Sequence, residues 1–410
     1  MDTIKVAIVG LNARGTQLVK DVLLKMENVD IIGICDLKKE RMADMAKLIT
    51  EAGKPLPFQT TDYHDFFTLD GVEAILVYTS WDMHTEICIA CMRAGIPTAG
   101  EVGCEYTLDN CWRLVHTYEE TGTPYMLLEN CCFGKEELFA TAIARKGLFG
   151  EIVHCSGTYG HDLREHLLDG AAKGQYRYRN YLHRCSENYP THELGPIAKL
   201  LNINRGNRMV SVVSVASKAA GLAAYAKKHA DEKKYSAEVC NAKYRQGDIV
   251  QTIITCENGE TISLILDTSL PRSHYSRAFN VRGTQGSYNQ ETDTLFLEGV
   301  HEEHYLLSQD LFHNAKEFEE EHLPKMWKDM TPEAQKTGHG GMDYFTHRAF
   351  FDAVKNGTPT PIDAYDAAAW LAITVLSEES IRQGGAPQPI PDFTNGKWLY
   401  RPPMDVAELI

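Results

Sequence analysis

The stretch that decides the fold is the N-terminal IKVAIVGLNARGTQLVK, residues Ile4 to Lys20. An apolar run leads directly into a turn that begins at Gly10, and apolar residues at helical spacing follow it. This pattern predicts a strand, a tight turn and a helix, the unit that binds the pyrophosphate of a dinucleotide. Asn12 stands where the second glycine of that motif is usual. We expect Asn12 to be accepted because asparagine tolerates a left-handed backbone better than most residues.

An acidic residue ends the second predicted strand. Residues Asp30 to Asp36 read DIIGICD, and Asp36 follows the turn at about the spacing of a carboxylate that binds ribose hydroxyls. Because a carboxylate would repel a 2′-phosphate, we predict NAD as the cofactor. Lys38 and Lys39 follow closely and leave NADP open as an alternative. The other interpretation of Asp36 is a helix-capping residue in an unrelated α/β protein.

Composition restricts the class of protein. The 410 residues are enough for two domains, and a net charge of −15 disfavours nucleic acid and anionic membranes as partners. We find neither a basic leader before an apolar segment nor a run that approaches the ~20 apolar residues of a membrane span. The eleven cysteines are scattered through predicted strands and helices. We therefore expect a cytoplasmic protein with reduced cysteines and no metal site.

Strands and helices alternate up to about Phe133. The predicted elements are strands over 73–78, 98–101 and 125–130 and helices over 84–94 and 108–121. Such alternation predicts a parallel, doubly wound sheet, whose ligand lies beyond the carboxyl ends of its strands. The candidate ligand-binding residues are therefore those that follow the predicted strands: Trp81, His84, Glu101, Val102, Glu129 and Asn130.

The pattern changes after Phe133. Strand-like segments now follow one another with turn signals and little helix between them, which predicts a mostly antiparallel sheet covered by helices on one face. These segments are 152–159, 209–217, 249–256, 261–268, 278–283 and 294–298, and helices are predicted over 345–355 and 364–382. We thus predict an α/β protein with a Rossmann dinucleotide-binding domain over 1–133 and a C-terminal α+β domain over 134–410.

A segment dense in aromatic and basic residues lies in the predicted second domain. Residues Tyr176 to Pro196 read YRYRNYLHRCSENYPTHELGP, and His192 opens an apolar helix. Since the positive end of a helix disfavours a protonated imidazole, we expect His192 to be neutral at pH 7 and able to act as a base. The alternative is a histidine that caps a core helix.

At this segment the chain resembles the Gfo/Idh/MocA superfamily of NAD(P)-dependent oxidoreductases, with two departures. Asn188 stands where the usual members carry an aspartate four residues before the histidine. Glu101-Val102-Gly103 replaces the Glu-Lys-Pro that holds the catalytic lysine of sugar dehydrogenases in this superfamily. The departures make an ordinary sugar or inositol dehydrogenase less favoured than the fold alone suggests.

Most of the chain resembles one branch of that superfamily, the family 109 glycoside hydrolases, which are NAD-dependent α-N-acetylgalactosaminidases. The most specific motif is YPTH-x-LGP, residues Tyr189 to Pro196, followed by NINRG, residues Asn202 to Gly206. The other matching motifs are Trp81-x-x-His84, Glu101-Val102, Glu129-Asn130, His161-Asp162-Leu163-Arg164 and Gly338-His339-Gly340-Gly341 before Asp343-Tyr344.

The resemblance implies the residues of two sites. For NAD it implies Ala13, Arg14, Asp36, Trp81, His84, Glu101, Val102 and Asn130, to which the turn adds Gly10 and Asn12. For a carbohydrate substrate it implies Glu129, Tyr159, Arg177, Tyr189, His192 and Tyr275. Any single tyrosine or arginine of this set could instead be a surface residue. Analogy with the superfamily also implies a homo-oligomer, either a dimer or a tetramer.

The resemblance further implies a reaction that needs no pair of flanking carboxylates. The sugar is oxidised at C3, a base removes the acidified C2 proton, the aglycone leaves by elimination, water adds and the sugar is reduced again. His192 is the candidate for the C3 hydroxyl proton, and Tyr275 or Tyr159, assisted by Arg177, is the candidate for the C2 proton. An NAD-dependent sugar or polyol dehydrogenase and a non-catalytic sensor are the alternatives.

Overall fold

The computed structural model describes residues 3–230, 234–301 and 313–409. In chain order the strands are β1 (Ile4–Val9), β2 (Val29–Cys35), β3 (Phe58–Thr60), β4 (Ala74–Val77), β5 (Thr98–Gly100), β6 (Tyr125–Leu127), β7 (Ile152–Gly160), β8 (Met209–Ala216), β9 (Ile249–Cys256), β10 (Thr261–Asp267), β11 (Asn280–Gly283), β12 (Gly286–Asn289), β13 (Thr294–Leu297) and β14 (Gln388–Pro389). The α-helices are α1 (Ala13–Asp21), α2 (Lys39–Glu51), α3 (Trp81–Arg93), α4 (Leu108–Thr121), α5 (Lys135–Arg145), α6 (Arg164–Ala171), α7 (Tyr176–His183), α8 (Thr191–Leu200), α9 (Gly221–Lys228), α10 (Ala237–Cys240), α11 (Glu319–His322), α12 (Lys325–Lys328), α13 (Pro332–Gln335), α14 (Met342–Asn356) and α15 (Ala364–Arg382).

The chain divides into two compact units. Unit 1 contains Met1–Phe133 and Asp329–Ala368, and unit 2 contains Gly134–Lys328 and Ala369–Ile410. The continuous range 134–410 predicted for the second domain therefore needs a correction, because residues 329–368 belong to unit 1. The physical reason lies in α14, where the side chain of Asp343 is hydrogen-bonded to Arg14 and Asn130 of unit 1.

Unit 1 is built on a six-stranded sheet with the order β3-β2-β1-β4-β5-β6. Every neighbouring pair of strands is parallel. All residues of β4 are buried, as expected for a parallel strand covered on both faces. The strand order reverses direction between β1 and β4, which is the point where doubly wound sheets bind their ligands. The predicted Rossmann sheet is thus confirmed.

Unit 2 is built on an eight-stranded sheet with the order β13-β12-β11-β7-β10-β9-β8-β14. Within the described part of this second sheet, only β7 and β10 pair in parallel, and the other neighbouring strands are antiparallel. Along β9 buried and exposed residues alternate, so one face of the sheet is covered and the other is open. The predicted mostly antiparallel sheet is confirmed. The strand predicted over 278–283 begins only at Asn280, because Ala278 has a φ of +42° and cannot continue an extended strand.

Helix α8 packs on the covered face of this sheet. All of its residues are buried. It lies so close to β7 that a Cβ atom on Gly157 would be 2.8 Å from the Cβ of Glu193.

Within the part of the chain that the structure describes, no helix combines the length and the hydropathy that crossing a membrane requires.

Candidate cofactor and substrate sites

The turn after β1 brings backbone and helix unusually close together. Gly10 has a φ of +101°, and a Cβ atom there would lie 2.7 Å from the backbone N of Thr79. A Cβ atom on Gly15 would lie 2.3 Å from the carbonyl oxygen of Gly10. Only glycine fits at either position, which is the geometry of a pyrophosphate-binding turn. The N-terminus of α1 follows and offers backbone N–H groups to a phosphate.

Asn12 fills the middle glycine position in a way that the sequence did not predict. Its φ of −68° and ψ of −176° are extended, so the expectation of a left-handed backbone is wrong. The side chain instead caps α1, with Oδ1 accepting the N–H of Gly15 at 2.9 Å. Its Nδ2 donates to the carbonyl oxygens of Tyr78 at 2.8 Å and Thr79 at 3.2 Å. Asn12 therefore ties the glycine turn to the end of β4.

Asp36 lies at the carboxyl end of β2 and faces the same turn. One carboxylate oxygen accepts the N–H of Leu11 at 2.8 Å, and the other accepts that of Lys38 at 2.9 Å. The side chain of Arg41 approaches to 3.3 Å. Asp36 is only 8% exposed. The carboxylate is thus fixed where an acid that binds ribose hydroxyls is expected.

Trp81 and His84 lie one turn apart in the first part of α3, on the same face of the helix. Both side chains are buried, as is Val102 after β5. His84 Nε2 lies 3.1 Å from the carbonyl oxygen of Thr79, and burial lowers the pKa of this imidazole. A Cβ atom on Gly103 would lie 2.8 Å from the ring of Trp81. The close packing of Trp81 explains why glycine occupies the place where the superfamily usually has proline.

Arg14 is the centre of a polar network at the carboxyl ends of the strands of unit 1. Its Nε donates to Glu101 at 2.8 Å, and Nη1 and Nη2 each donate to Asp343 at 2.9 Å. Asp343 also accepts from Asn130 at 2.7 Å and lies 2.9 Å from His339 Nδ1. Burial alone would raise the pKa of Asp343. The hydrogen bond from His339 and the charge of Arg14 outweigh it and hold the pKa well below its usual range.

Unit 1 as a whole fits a dinucleotide. The turn has no room for a side chain at Gly10 or Gly15, the N-terminus of α1 can bind a phosphate, and Asp36 is positioned for a ribose. Glu129, predicted to bind substrate, is fully buried in this unit, and its Oε1 accepts the N–H of Cys131 at 2.9 Å. Its role as a substrate ligand stays a prediction.

In unit 2 the predicted substrate-binding side chains form an aromatic cluster around His192. The ring centroids of Tyr159 and Tyr189 are 4.8 Å apart. The imidazole of His192 meets both rings at an interplanar angle of 80°, with centroid distances of 5.3 Å and 4.7 Å. The guanidinium of Arg177 lies 4.8 Å from the centroid of the Tyr189 ring. Tyr275, 43% exposed, completes the cluster at 6.3 Å from Tyr159.

The helix assignment around His192 is confirmed. α8 begins at Thr191, which places His192 in its first turn. The cluster also contains two residues that received no role from the sequence. His161 lies between Tyr159 and Tyr275, at centroid distances of 5.9 Å and 5.4 Å, and the guanidinium of Arg277 lies 5.9 Å from the ring centroid of Tyr275.

The sequence alone did not indicate the part that Asp343, His339 and Tyr78 play in unit 1. The motif Gly338-His339-Gly340-Gly341 before Asp343 drew attention to Asp343 and His339. The motif does not indicate which unit these residues belong to. From the sequence, Tyr78 was predicted only to end an apolar strand. In the structure its hydroxyl lies 2.6 Å from Nε2 of His347.

The Rossmann sheet and the glycine turn indicate a dinucleotide-binding class of protein, and comparison with known proteins agrees with this class. Residues 4–128 match the model of the oxidoreductase family with an NAD-binding Rossmann fold. A solved levoglucosan dehydrogenase with NADH and levoglucosan superposes with a TM-score of 0.71 at 17% identity, covering 95% of this chain and 100% of that one. Scyllo-inositol dehydrogenase from Lactobacillus casei with NAD(H) and scyllo-inositol gives 0.64 at 12%, covering 95% and 99%. The chain is thus a nicotinamide-dinucleotide-binding protein of this fold.

The family follows from the rest of the chain. Residues 133–400 match the model of the glycosyl hydrolase 109 C-terminal domain. A glycosyl hydrolase family 109 protein of Stenotrophomonas maltophilia (strain K279a) is 36% identical over 98% of this chain and 91% of its own length. A protein of Tannerella forsythia named alpha-N-acetylgalactosaminidase is 34% identical over 98% and 88%. The chain belongs to glycosyl hydrolase family 109 and is a glycosidase with a nicotinamide-dinucleotide-binding domain. The resemblance inferred from the motifs is confirmed.

Proposed function

We propose that this protein hydrolyses N-acetylgalactosaminides or related glycosides with NAD as a cofactor that stays bound through turnover. The observation that carries the proposal is His192, which lies in the first turn of α8 with the rings of Tyr159 and Tyr189 against it. The name of the relative from Tannerella forsythia supports the choice of sugar. NAD rather than NADP is supported by Asp36, whose carboxylate would repel a 2′-phosphate.

His192 is assigned the proton of the sugar's C3 hydroxyl. Bound NAD supplies a reversible hydride acceptor, which allows C3 to become a ketone and later an alcohol again. The imidazole of His192 accepts the hydroxyl proton during oxidation and returns it during reduction. Since Tyr159 and Tyr189 pack edge to face with its ring, the imidazole needs little reorientation between the two steps.

Tyr275 is assigned the proton on C2, and Tyr159 is the alternative. Once C3 is a ketone, a base that removes the C2 proton allows a C1–C2 double bond to form as the bond from C1 to the aglycone breaks. Water then adds to C1, and the proton returns to C2. The guanidinium of Arg277 lies 5.9 Å from the ring centroid of Tyr275. Glu129 is assigned to position a hydroxyl or to assist the leaving group.

The test uses aryl N-acetylgalactosaminides, aryl N-acetylglucosaminides and simple aryl hexosides of both anomers. The purified protein is incubated with each substrate without added NAD, and phenol release and the NADH absorbance band are followed together. We expect many turnovers of phenol release on one substrate class with no accumulation of NADH. Phenol release in D₂O should also leave deuterium at C2 of the sugar. NADH that accumulates from free sugar and added NAD, without phenol release, would identify a sugar dehydrogenase instead.

We also propose that the protein is a cytoplasmic homo-oligomer. The eleven cysteines are all free thiols, which supports a reducing compartment. The open face of the unit 2 sheet supports association, because Val215 and Ile253 are each 51% exposed on it. Size-exclusion chromatography with light scattering measures the state. A mass of about 46 kDa, that of one chain, would contradict the proposal.

A further inference from the structure

Helix α14 places the carboxylate of Asp343 at the edge of unit 1 where the cofactor is expected to bind. Arg14 follows the glycine turn, Glu101 follows β5 and Asn130 follows β6, so all three lie beyond the carboxyl ends of parallel strands. Asp343 of α14 bonds directly to Arg14 and Asn130. Neither the glycine motif nor the family resemblance gave Asp343 a role. Two residues implied for the cofactor are therefore held by a third one from far along the chain.

The geometry around Asp343 is that of a fixed clamp. Both terminal nitrogens of Arg14 donate to the two carboxylate oxygens at 2.9 Å, which is a bidentate pair that defines the plane of the guanidinium. The Asp343 side chain is 2% exposed. His339 lies against one of its oxygens, and the left-handed backbone of His339, with a φ of +49°, turns its ring toward Asp343.

The same helix is also connected to the glycine turn through His347 and Tyr78. His347 Nδ1 lies 2.7 Å from the backbone oxygen of Asp343, and its Nε2 lies 2.6 Å from the hydroxyl of Tyr78. The Cβ of Tyr78 is only 3.2 Å from where a Cβ on Gly15 would be, and its carbonyl oxygen accepts from Asn12. The first turn of α14 is therefore linked to the phosphate-binding turn by two routes, one through Arg14 and one through Tyr78.

We propose that Asp343 is a positioning residue for the cofactor, which acts by holding Arg14 and Asn130 in their binding conformations and is itself held by His339. A long arginine side chain that is already ordered loses less conformational entropy when the dinucleotide binds. Tight retention of the cofactor is what the proposed redox-neutral reaction needs. The inference deepens the proposed function in that respect and rests on it for its purpose.

The experiment is a double-mutant cycle on the affinity for NADH. Protein stripped of cofactor is titrated with NADH by calorimetry for the wild type, Asp343→Asn, Arg14→Gln and the double variant. Each single variant should raise the Kd by on the order of 30-fold, as expected when one partner of a buried charge pair is removed. The double variant should be no weaker than Arg14→Gln alone. A residue with only a structural role would instead give additive losses.

A matched control is available on the same helix. Asp352 pairs with Arg348 at 3.0 Å in a half-buried i, i+4 pair, so Asp352→Asn removes one carboxylate from α14 without touching Arg14. We expect it to bind NADH as the wild type does. Asp343→Asn with a wild-type Kd would overturn the proposal, and so would additive losses in the cycle.

A second variant covers the case in which Asp343→Asn does not fold. The side chain of His339 is 47% exposed, and His339→Asn keeps a residue that accepts a left-handed backbone. This variant should weaken NADH binding severalfold, and an unchanged Kd would overturn the proposal. Failure of the wild type to release phenol, together with the expected Kd pattern, would count against the glycosidase proposal and leave the role of Asp343 intact.

Discussion

The imidazole of His192 stands nearly perpendicular to the ring of Tyr159, with centroids 5.3 Å apart and an interplanar angle of 80°. Tyr189 holds the imidazole in the same manner at 4.7 Å. Edge-to-face pairs of this kind restrict ring rotation and contribute about 0.5–1.5 kcal/mol each beyond their buried area. The candidate base is therefore fixed by two tyrosines that are also candidates for contact with the sugar.

Replacement of His192 tests its role as the C3 base. His192→Ala should lower kcat for aryl glycoside hydrolysis by about 10²- to 10⁴-fold, the usual contribution of general acid–base catalysis. The cofactor content of the purified variant should equal that of the wild type. His116→Ala, which removes an exposed histidine from α4, is the control. A His192→Ala variant that keeps most of its turnover would contradict the assignment.

Replacement of Asp36 tests the choice of cofactor. Asp36→Asn should weaken NAD binding and narrow the preference for NAD over NADP by about tenfold, because a charge-assisted hydrogen bond to the ribose and the repulsion of a 2′-phosphate are both lost. Arg41, 3.3 Å from Asp36, is then available to a 2′-phosphate. Titration with both reduced dinucleotides measures the change. The exposed Asp44→Asn on α2 should leave both affinities as they are.

Replacement of Asn12 tests whether this side chain stabilises the turn. Asn12→Ala should lower the free energy of unfolding by about 1–3 kcal/mol, since it removes a helix cap and two further hydrogen bonds. Thermal or urea unfolding of the stripped protein measures this loss. Asn241→Ala removes an exposed asparagine with one side-chain hydrogen bond and should cost much less. Equal losses in both variants would show that the cap is unimportant.

Glu187 makes the stability of unit 2 depend on pH. The side chain is fully buried, and this burial raises the pKa of Glu187 to about 8, compared with about 4.3 in an unfolded chain. Between these values the folded state keeps a proton that the unfolded state has lost, so stability falls as the pH rises from about 4 to 8.

The isosteric Glu187→Gln variant should lose that dependence. It should match the wild type near pH 4 and exceed it by a few kcal/mol near pH 8.5. Unfolding transitions at the two pH values provide the measurement, with Glu51→Gln in an exposed ion pair as the control. A wild type whose stability relative to Glu187→Gln is the same at both pH values would rule out the buried proton.

The sequence was most informative where local pattern and fold coincide. Alternating strands and helices predicted the sheet of unit 1, and the YPTH motif placed His192 at a helix start. Both patterns could be recognised because they depend only on residues that are neighbours in the sequence. The conformation of Asn12 differs from the expectation because the choice between a left-handed backbone and a helix cap depends on the carbonyl groups of Tyr78 and Thr79, which are distant in sequence.

Long-range association explains the other gaps. Nothing local to residues 329–368 indicates that they leave the second domain and join the first. Their placement depends on the pairing of Asp343 with Arg14, which lies 329 positions earlier. His161 joins the aromatic cluster through its contact with Tyr275, which lies far along the chain in the loop after β10. Arg277 lies only two positions after Tyr275, so its absence from the predicted site has no such long-range cause.

The divided sequence of unit 1 also has a consequence for biosynthesis. Its six strands are complete once the first 133 residues have left the ribosome, but the segment that carries Asp343 emerges only after about two hundred more. N-terminal domains generally fold first during translation. In the nascent chain Arg14 therefore lacks its bidentate partner until the first segment of unit 2, Gly134–Lys328, has been made. If Asp343 positions Arg14 as proposed, tight binding of the dinucleotide is expected only late in synthesis.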